Sequence, residues 1–456
     1  MRQRKPREVF DNPEADRAFA RRMFNDHHTD LLHVPGVGWH IFDGRRYWRD
    51  QTQQIISLAE ETIQRIHLDA AHEPSPEHRD ALSKLAKDYS KIERVRGALA
   101  FLQPTVSMTV ERLDAAPFAF NVRNGTIDLK TGELRAHNRA DLITRLSPIK
   151  YDNTATAPRW LQFLTEIFDG DCELADYVKR LFGYALTADQ RHQIITFLWG
   201  QGDNGKGVLT RTWLAVAGEY GKAAADTLLM RKYSDAIPAD VADLWGARLV
   251  IASESQEDGR LDEQRVKALT GSDRIKARFM RQNFFEFEPT HHIFLQTNHK
   301  PKIVGQDHAI WRRIRLIPFG VRFEDPHLNP ATVHRKDFEL EQKLREELPG
   351  ILRWAVEGAR EALNEGLRDP ESVMAATKEY RREEDILSDF IESRCVLGPE
   401  REATVSDLYG AYKVWCQGEG TRPWSQNRFS RRLTDAGYQS GRDANEGRVR
   451  KGIALN

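Results

Sequence analysis

The sequence is poor in cysteine and carries no excess of charge of either sign. The three cysteines, Cys172, Cys395 and Cys416, are too widely spaced for a zinc cluster, and three thiols cannot make a disulfide framework. Lysine plus arginine and aspartate plus glutamate both number 68, so net charge does not indicate a nucleic-acid partner. Any nucleic-acid site must therefore come from local clusters of basic residues.

Long apolar runs are also missing. The longest, such as Ile194–Trp199, are far too short to span a bilayer. The first residues are polar and lack the apolar core of a secretory signal. These absences predict a protein of the reducing cytoplasm with no membrane partner. Apolar residues still make up 40% of the 456 residues, which is enough to build several hydrophobic cores.

The predicted fold class is α/β. Between residues 191 and 320, four short apolar runs alternate with helical and loop segments. The runs are IITFLW, ARLVIA, HIFLQT and IRLIPF. Buried strands in this rhythm are typical of a mostly parallel sheet covered by helices. Upstream, Asp43-Gly44 and Asn124-Gly125 are turn signals that predict hairpins in an α+β region.

The strongest motif is a glycine-rich loop directly after the first of these strands. Gly200-Gln-Gly-Asp-Asn-Gly205-Lys206 matches G-x-x-x-x-G-K, which binds phosphate when it joins a strand to a helix. Its backbone N–H groups and the helix N-terminus attract phosphate, and the lysine reaches the β- and γ-phosphates. The predicted ATP-binding residues are Gly200, Gly202, Asp203, Asn204, Gly205, Lys206 and Gly207.

Gly207 stands where a Ser or Thr normally helps to hold magnesium. A glycine offers no hydroxyl, which leaves water or Thr210 to fill that place. This departure is the main feature that favours a degenerate nucleotide site.

Polar residues follow the next two strands. Glu254 comes after the strand Arg248–Ala252, where a carboxylate can bind magnesium and polarise the attacking water. Glu257 or Asp258 could share that role. Asn298 follows the third strand, and an amide there can orient the water and sense the γ-phosphate. Glu254 and Asn298 are therefore predicted catalytic residues, and Glu254 is also the predicted metal ligand.

Two adjacent arginines, Arg312 and Arg313, precede the fourth strand. An arginine that reaches the ATP of a neighbouring subunit stabilises charge as the phosphoryl group departs. Either residue could do so, or both could be solvated, and their adjacency leaves the choice open. Both are kept as predicted catalytic residues.

In this order the motifs resemble those of the superfamily 3 helicases, a branch of the AAA+ ATPases. They are more similar to the helicase half of the phage and plasmid primase-helicases, which are related to the poxvirus helicase-primase. The matching stretches are GQGDNGKG, LWGARLVIASESQEDGRLDE, VKALTGSDRIKARFMRQNFFEFEP, IFLQTNHKP and DHAIWRRIRLIPF. NGTIDLKTGELRAH and LREELPGILRWAVEGA also resemble the family, so the likeness covers about residues 30–365.

The resemblance implies an AAA+ core that uses ATP and Mg²⁺ and works as a homo-hexameric ring with ATP sites between subunits. It assigns the phosphate-binding lysine to Lys206 and the acidic residue of the second motif to Glu254. Asn298 would be the first sensor. The finger that acts on the adjacent subunit would be Arg312 or Arg313.

Two regions combine basic residues with features that suit DNA binding. The first, residues 267–281, is followed by several phenylalanines that could stack on bases or belong to the core. For Phe285 and Phe287, which alternate with acids, the core is the favoured interpretation. In the resembled family this region is a hairpin that projects into the central channel. The predicted DNA-binding residues here are Lys267, Lys276, Arg278 and Arg281.

The second region is residues 421–456, which contain eight Arg or Lys against three acids. Two predicted helices and a basic hairpin resemble a winged helix, which binds DNA or another protein. The residues predicted to face DNA are Arg428, Arg431 and Arg432.

These regions predict five segments. They are an N-terminal α+β domain of the phage primase-helicase type (1–155), a helical collar (156–190), the AAA+ core (191–325), a helical segment (326–383) and a winged-helix-like domain (384–456).

The predicted function is an ATP-dependent DNA helicase or translocase for phage- or plasmid-type replication in the cytoplasm of a bacterial host. Its expected partners are single-stranded and forked DNA and a separate primase or replication initiator. No catalytic acid pair or zinc-binding cysteine set precedes the phosphate loop, so primase activity is not expected. Two alternatives stay open: a DNA-stimulated ATPase that remodels or loads other proteins, and a non-enzymatic DNA-binding scaffold.

Overall fold

Helices and antiparallel hairpins make up the first part of the chain. A computed structural model describes residues 13–225, 228–231, 239–253, 259–278, 284–303, 308–443 and 447–456. The first elements are α1 (Pro13–His27), β1 (Leu31–Val34), β2 (Gly38–Phe42), β3 (Tyr47–Arg49), α2 (Gln54–His72), α3 (Pro76–Tyr89) and α4 (Ile92–Leu102). The predicted turn at Asp43-Gly44 is confirmed, because β2 and β3 pair antiparallel. The Asp43 carboxylate accepts the backbone N–H groups of Arg45 and Arg46, which closes the turn.

A second group of antiparallel strands follows, and two helices come after it. They are β4 (Ala119–Val122), β5 (Gly125–Asp128), β6 (Leu134–Arg135), α5 (Pro158–Ile167) and α6 (Cys172–Ala185). The predicted turn at Asn124-Gly125 is confirmed by the pairing of β4 with β5. Asp171 caps α6, because its carboxylate accepts the backbone N–H of Leu174 at 2.9 Å.

A parallel sheet forms the centre of the next region. Its elements are β7 (Ile195–Trp199), α7 (Lys206–Ala217), β8 (Gly221–Ala224), β9 (Leu249–Ser253), α8 (Glu263–Leu269), β10 (Ile275–Ala277), β11 (Phe285–Phe287), β12 (His292–Thr297), α9 (His308–Trp311) and β13 (Ile314–Pro318). Five strands pair in parallel in the order β13-β7-β12-β9-β8. All four predicted strands belong to this sheet, so the α/β class is confirmed. The carboxyl ends of β7, β9 and β12 therefore meet at one edge, where open α/β sheets bind ligands.

Helices follow the sheet, namely α10 (Leu340–Glu346), α11 (Leu348–Glu365) and α12 (Glu371–Glu383). One of them, α11, packs back against α6. Glycines allow the backbones of α6 and α11 to touch. A Cβ on Gly183 would lie 2.1 Å from the backbone nitrogen of Ala359, and one on Gly358 would lie 2.2 Å from the carbonyl oxygen of Lys179. A larger residue at either position would force the two helices apart.

The chain divides into two compact units. The first consists of Met1–Pro301 and Arg312–Met374, and the second of Lys302–Trp311 and Ala375–Asn456. The last elements of the second are α13 (Ile386–Arg394), β14 (Cys395–Thr404), α14 (Val405–Gly418), α15 (Gln426–Asp435), β15 (Ser440–Asp443) and β16 (Gly447–Leu455).

Three antiparallel strands of the second unit, in the order β14-β16-β15, accompany its last three helices. Its core is aromatic, with the Tyr412 ring 4.6 Å from that of Phe429 and 5.4 Å from that of Phe390. Across the described parts of both units, no helix is long and apolar enough to cross a membrane. The five segment boundaries stay predictions.

Candidate functional site

The glycine-rich loop joins the carboxyl end of β7 to the first turn of α7. Gly205 has φ +86°, and a Cβ there would lie 2.5 Å from Ile167 Cγ2, so both conformation and space require glycine. A Cβ on Gly200 would lie 2.4 Å from the backbone oxygen of Phe319. The loop is therefore pressed against the residue that follows β13 and the end of α5. Its backbone N–H groups can face a ligand at the N-terminus of α7.

Lys206 is the buried cation of this loop, with only 2% of its surface exposed. Its Nζ donates to Asn204 Oδ1 at 3.2 Å, to Asn298 Oδ1 at 3.2 Å and to the backbone oxygen of Gly200. Burial lowers the pKa of Lys206 to about 8. The fold thus brings together two predicted site residues, Lys206 and Asn298, that are 92 positions apart. A cation and an amide at this edge can bind and orient a phosphate group.

A cavity of about 810 Å³ opens over the loop. Its lining includes Gly202, Lys206, Gly207 and Asn298 together with residues 335–342 and Arg345. This volume lies within the usual range for small-molecule sites.

Asp203 has φ +57° and anchors the loop to the segment after β13. Its carboxylate pairs with Lys336 Nζ at 3.0 Å, and its carbonyl accepts the backbone N–H of Phe323 at 2.7 Å. Asp203 therefore holds the loop in place through two contacts with the protein, and it also lines the cavity.

Gly207 lies in the first turn of α7 and lines the cavity. A Cβ at this position would meet only the flexible end of Arg211, at 2.9 Å from Nη1, so the fold does not demand a glycine here. Thr210 lies one turn further along, and its buried hydroxyl is 3.1 Å from Gln296 Oε1. Gln296, which sequence reasoning missed, lines the same cavity. The signal was available, because Gln296 is a polar residue near the carboxyl end of a predicted buried strand, two positions before the predicted site residue Asn298.

The two candidate finger arginines differ in environment. Arg312 is exposed, whereas Arg313 is 8% exposed. Arg313 donates from Nε to Thr270 Oγ1 at 3.1 Å and from Nη2 to Gln193 Oε1 at 3.3 Å. Arg313 is therefore held inside its own subunit. Glu254, with the alternatives at positions 257 and 258, lies outside the described residues, as does Arg281.

The basic region 267–281 contains β10, which pairs antiparallel with β11 to form a hairpin. Ile275 pairs with Phe287 and Ala277 with Phe285. The core interpretation of Phe285 and Phe287 is confirmed, since they are 7% and 3% exposed.

The adjacent Phe284 is 45% exposed and points toward solvent, away from the core that Phe285 and Phe287 enter. The Lys276 ammonium and the Arg278 guanidinium lie 5.2 and 5.0 Å from its ring centroid. Lys267 is half-buried on α8. The hairpin thus presents two cations around one exposed aromatic ring, an arrangement that can bind a phosphate and a base together.

In the second unit, α15 carries three predicted DNA-binding arginines. Arg431 is exposed, while the guanidinium groups of Arg428 and Arg432 lie 4.9 and 5.8 Å from the Trp424 ring. All three belong to a helix that precedes an antiparallel strand pair.

Three family models match the chain. A D5 N terminal like model matches residues 17–169, a family of unknown function (DUF5906) matches 198–313, and a Poxvirus D5 protein-like model matches 382–443. Two of these three models, at the two ends of the match, describe D5-like proteins. The predicted resemblance to the poxvirus helicase-primase is thereby confirmed.

Proteins of large DNA viruses are similar to this chain. A predicted helicase of Acanthamoeba polyphaga mimivirus is 26% identical over 68% of this chain. A predicted primase of African swine fever virus is 23% identical over 67% of it. The chain spans about a third of the length of these curated relatives, 34% in both cases. The apo structure of the NrS-1 C-terminal region aligns with 71% of this chain and 88% of that chain, at 12% identity and a TM-score of 0.42.

Proposed function

We propose that this D5-like chain is an ATP-dependent DNA helicase or translocase. The observation that carries the proposal is the buried Lys206 ammonium, held between the phosphate loop and Asn298 at the carboxyl edge of a parallel sheet. Lys206 would bind the β- and γ-phosphates, and Asn298 would orient the attacking water. Glu254 would hold Mg²⁺ and polarise that water. The relatives named as a helicase and a primase support a role in DNA replication.

The strand order supports an AAA+ type of core. β12, which is followed by Asn298, lies between β7, which leads into the phosphate loop, and β9, which leads to Glu254. In this order the carboxyl ends of the three strands are neighbours at one edge of the sheet, which supports the proposal. A side chain from each strand end can then act on one γ-phosphate.

We propose further that the subunits form a ring in which each ATP site is completed by Arg312 of the neighbouring subunit. The exposed side chain of Arg312 can reach across a subunit interface, whereas the Arg313 guanidinium is hydrogen-bonded within its own subunit. Arg312 is therefore the proposed finger, and the proposed assembly is a homo-hexamer.

Two surfaces support DNA as the substrate of this motor. The β10–β11 hairpin offers Lys276, Arg278 and Phe284 for contact with single-stranded DNA. The second unit orders its last elements as helix, strand, two helices and two strands, as in a winged helix, with Arg431 exposed on the second of the paired helices. We propose that this unit binds duplex DNA near a fork, alongside a separate primase or replication initiator.

Two assays test the proposed function. ATP hydrolysis is measured with Mg²⁺, with and without single-stranded DNA, and unwinding is measured on a forked duplex. Hydrolysis that DNA stimulates, together with strand separation, supports a helicase. Stimulated hydrolysis without separation indicates an ATPase that remodels other proteins. DNA binding without any hydrolysis would reduce the chain to a scaffold.

The affinity for ATP is expected to fall as pH rises through about 8. Burial lowers the pKa of Lys206 from 10.5 to about 8, so above that pH the free protein loses the charge that phosphate needs. Phosphate favours the charged lysine, so binding takes up a proton in that range, and affinity falls by up to about 10-fold per pH unit. Calorimetric titration with a non-hydrolysable ATP analogue on either side of this pKa measures the effect. Lys206→Arg is the control, because a guanidinium stays charged throughout this range.

Phe284→Ala is expected to weaken binding of single-stranded DNA by about 10-fold, because one base loses its stacking partner. Basal ATP hydrolysis should not change, since the side chain is 45% exposed on the hairpin and does not line the phosphate cavity. Fluorescence anisotropy with a labelled oligonucleotide measures the loss. The matched control is Glu286→Ala, an exposed residue of β11 two positions after Phe284, whose removal should not weaken binding. Equal affinity of Phe284→Ala and wild type would remove the hairpin from the DNA-binding surface.

A further inference from the structure

We infer that the base of the bound nucleotide stacks on Phe338, which makes the segment 335–345 the base-binding wall of the cavity. The inference rests on the proposed function, because it assigns the part of ATP that the phosphate loop does not touch.

The first argument is the exposure of Phe338. Its side chain is 65% exposed, although burial of a phenylalanine ring is favourable. Leu328 and Val333 in the same stretch are also exposed, at 85% and 88%, but neither lines the cavity. Phe338 is thus a largely exposed aromatic ring that lines the cavity of the phosphate loop, with the Lys336 ammonium 5.9 Å from its centroid. A planar base would cover such a ring face.

The second argument is that the wall is tied to the phosphate loop. Lys336, two residues before Phe338, pairs with Asp203 of the loop at 3.0 Å. Glu341, three residues after it, pairs with Arg211 of α7. Ion pairs on both sides of Phe338 therefore connect it to the elements that bind phosphate. Their joint effect is to position the ring relative to the loop.

The third argument is the composition of the lining. The cavity is lined by polar groups of the phosphate loop, by charged side chains of the segment 335–345 and by the rings of Phe163, Phe323 and Phe338. Phe163 is only 1% exposed, whereas Phe338 is 65% exposed, so Phe338 offers far more ring surface to a ligand. A nucleoside triphosphate needs both kinds of partner, since one end carries charge and the other an aromatic base. At about 810 Å³, the cavity has room beyond the phosphates for the sugar and the base.

The test compares two probes, ATP and inorganic tripolyphosphate, which has the phosphates without the base. Affinities of both are measured calorimetrically with Mg²⁺ for wild type, Phe338→Ala and Phe338→Tyr. Val333→Ala is the matched control, because it removes an exposed apolar side chain of the same stretch that does not line the cavity. We expect Phe338→Ala to weaken ATP binding by about 10- to 100-fold and to leave tripolyphosphate binding unchanged. Phe338→Tyr should restore ATP binding, because it keeps a ring face.

Each other outcome identifies what has failed. Equal weakening of both probes would show that Phe338 supports the wall rather than the base, and would overturn the inference. Unchanged ATP affinity in Phe338→Ala would overturn it too, with the proposed function intact. A wild type that binds neither probe would contradict the proposed function itself, and the inference with it.

Discussion

Lys206→Ala is expected to lower ATP hydrolysis by about 1,000-fold, on the scale of losing a charged or oxyanion-binding group in the transition state. The ammonium is the one cation that lies inside the phosphate loop itself, bonded to Asn204 and Asn298. Steady-state phosphate release measures the loss. The fold should survive, because the lowered pKa of Lys206 shows that its buried charge is unfavourable in the folded protein.

Thermal unfolding separates loss of chemistry from loss of structure. The melting temperature of Lys206→Ala should stay near that of the wild type. Lys84→Ala is the control for removal of a lysine, since Lys84 is exposed on α3, outside the cavity. Wild-type turnover by Lys206→Ala would remove the assignment of the phosphate loop.

Arg312→Ala is expected to cut hydrolysis by about 10³- to 10⁵-fold, the general scale of arginine fingers, with much less effect on ATP binding. The reason is that Arg312 is exposed and would reach the ATP of the next subunit only in an assembled ring. Activity per wild-type subunit should then rise with protein concentration. Hydrolysis and sedimentation measured across the same concentration series test both statements.

Arg313→Ala is the matched control. Its guanidinium bonds Thr270 and Gln193 inside the subunit, so its loss should lower the free energy of unfolding by about 1–3 kcal/mol. A fall in melting temperature is its expected signature, whereas Arg312→Ala should melt like the wild type.

A mixture of two inactive variants gives the sharpest test of the ring. When Lys206→Ala and Arg312→Ala subunits assemble together, some interfaces join an intact loop to an intact finger. Those interfaces should recover part of the activity, provided that hydrolysis does not need every site in the ring. Full, concentration-independent turnover by a monomer would contradict the ring model.

Local sequence signals determined the parts of this protein that depend on neighbours along the chain. The four apolar runs became strands of one parallel sheet because their side chains are buried on both faces. Asp43 and Asn124 mark real turns, since turn geometry depends on a few adjacent residues. The glycine-rich loop was predicted correctly to join a strand to a helix for the same reason, because its spacing is a local pattern. β8 was missed, because GKAA has little of the apolar character that marks a buried strand.

Only the tertiary structure decided which side of the chain each residue faces. Arg312 and Arg313 are equivalent in the sequence, but the packing of β13 buries the second and exposes the first. Phe284 and Phe285 are likewise adjacent, and the pairing of β10 with β11 turns one outward and the other into the core.

The cavity wall at 335–345 had no signal in the sequence at all. Its relation to the loop comes from ion pairs such as Lys336 with Asp203, which join residues 133 positions apart. Periodicity and turn chemistry report the contacts of a residue with its near neighbours in the chain. A site assembled from distant segments depends on how those segments pack, and that is decided by the folded chain as a whole.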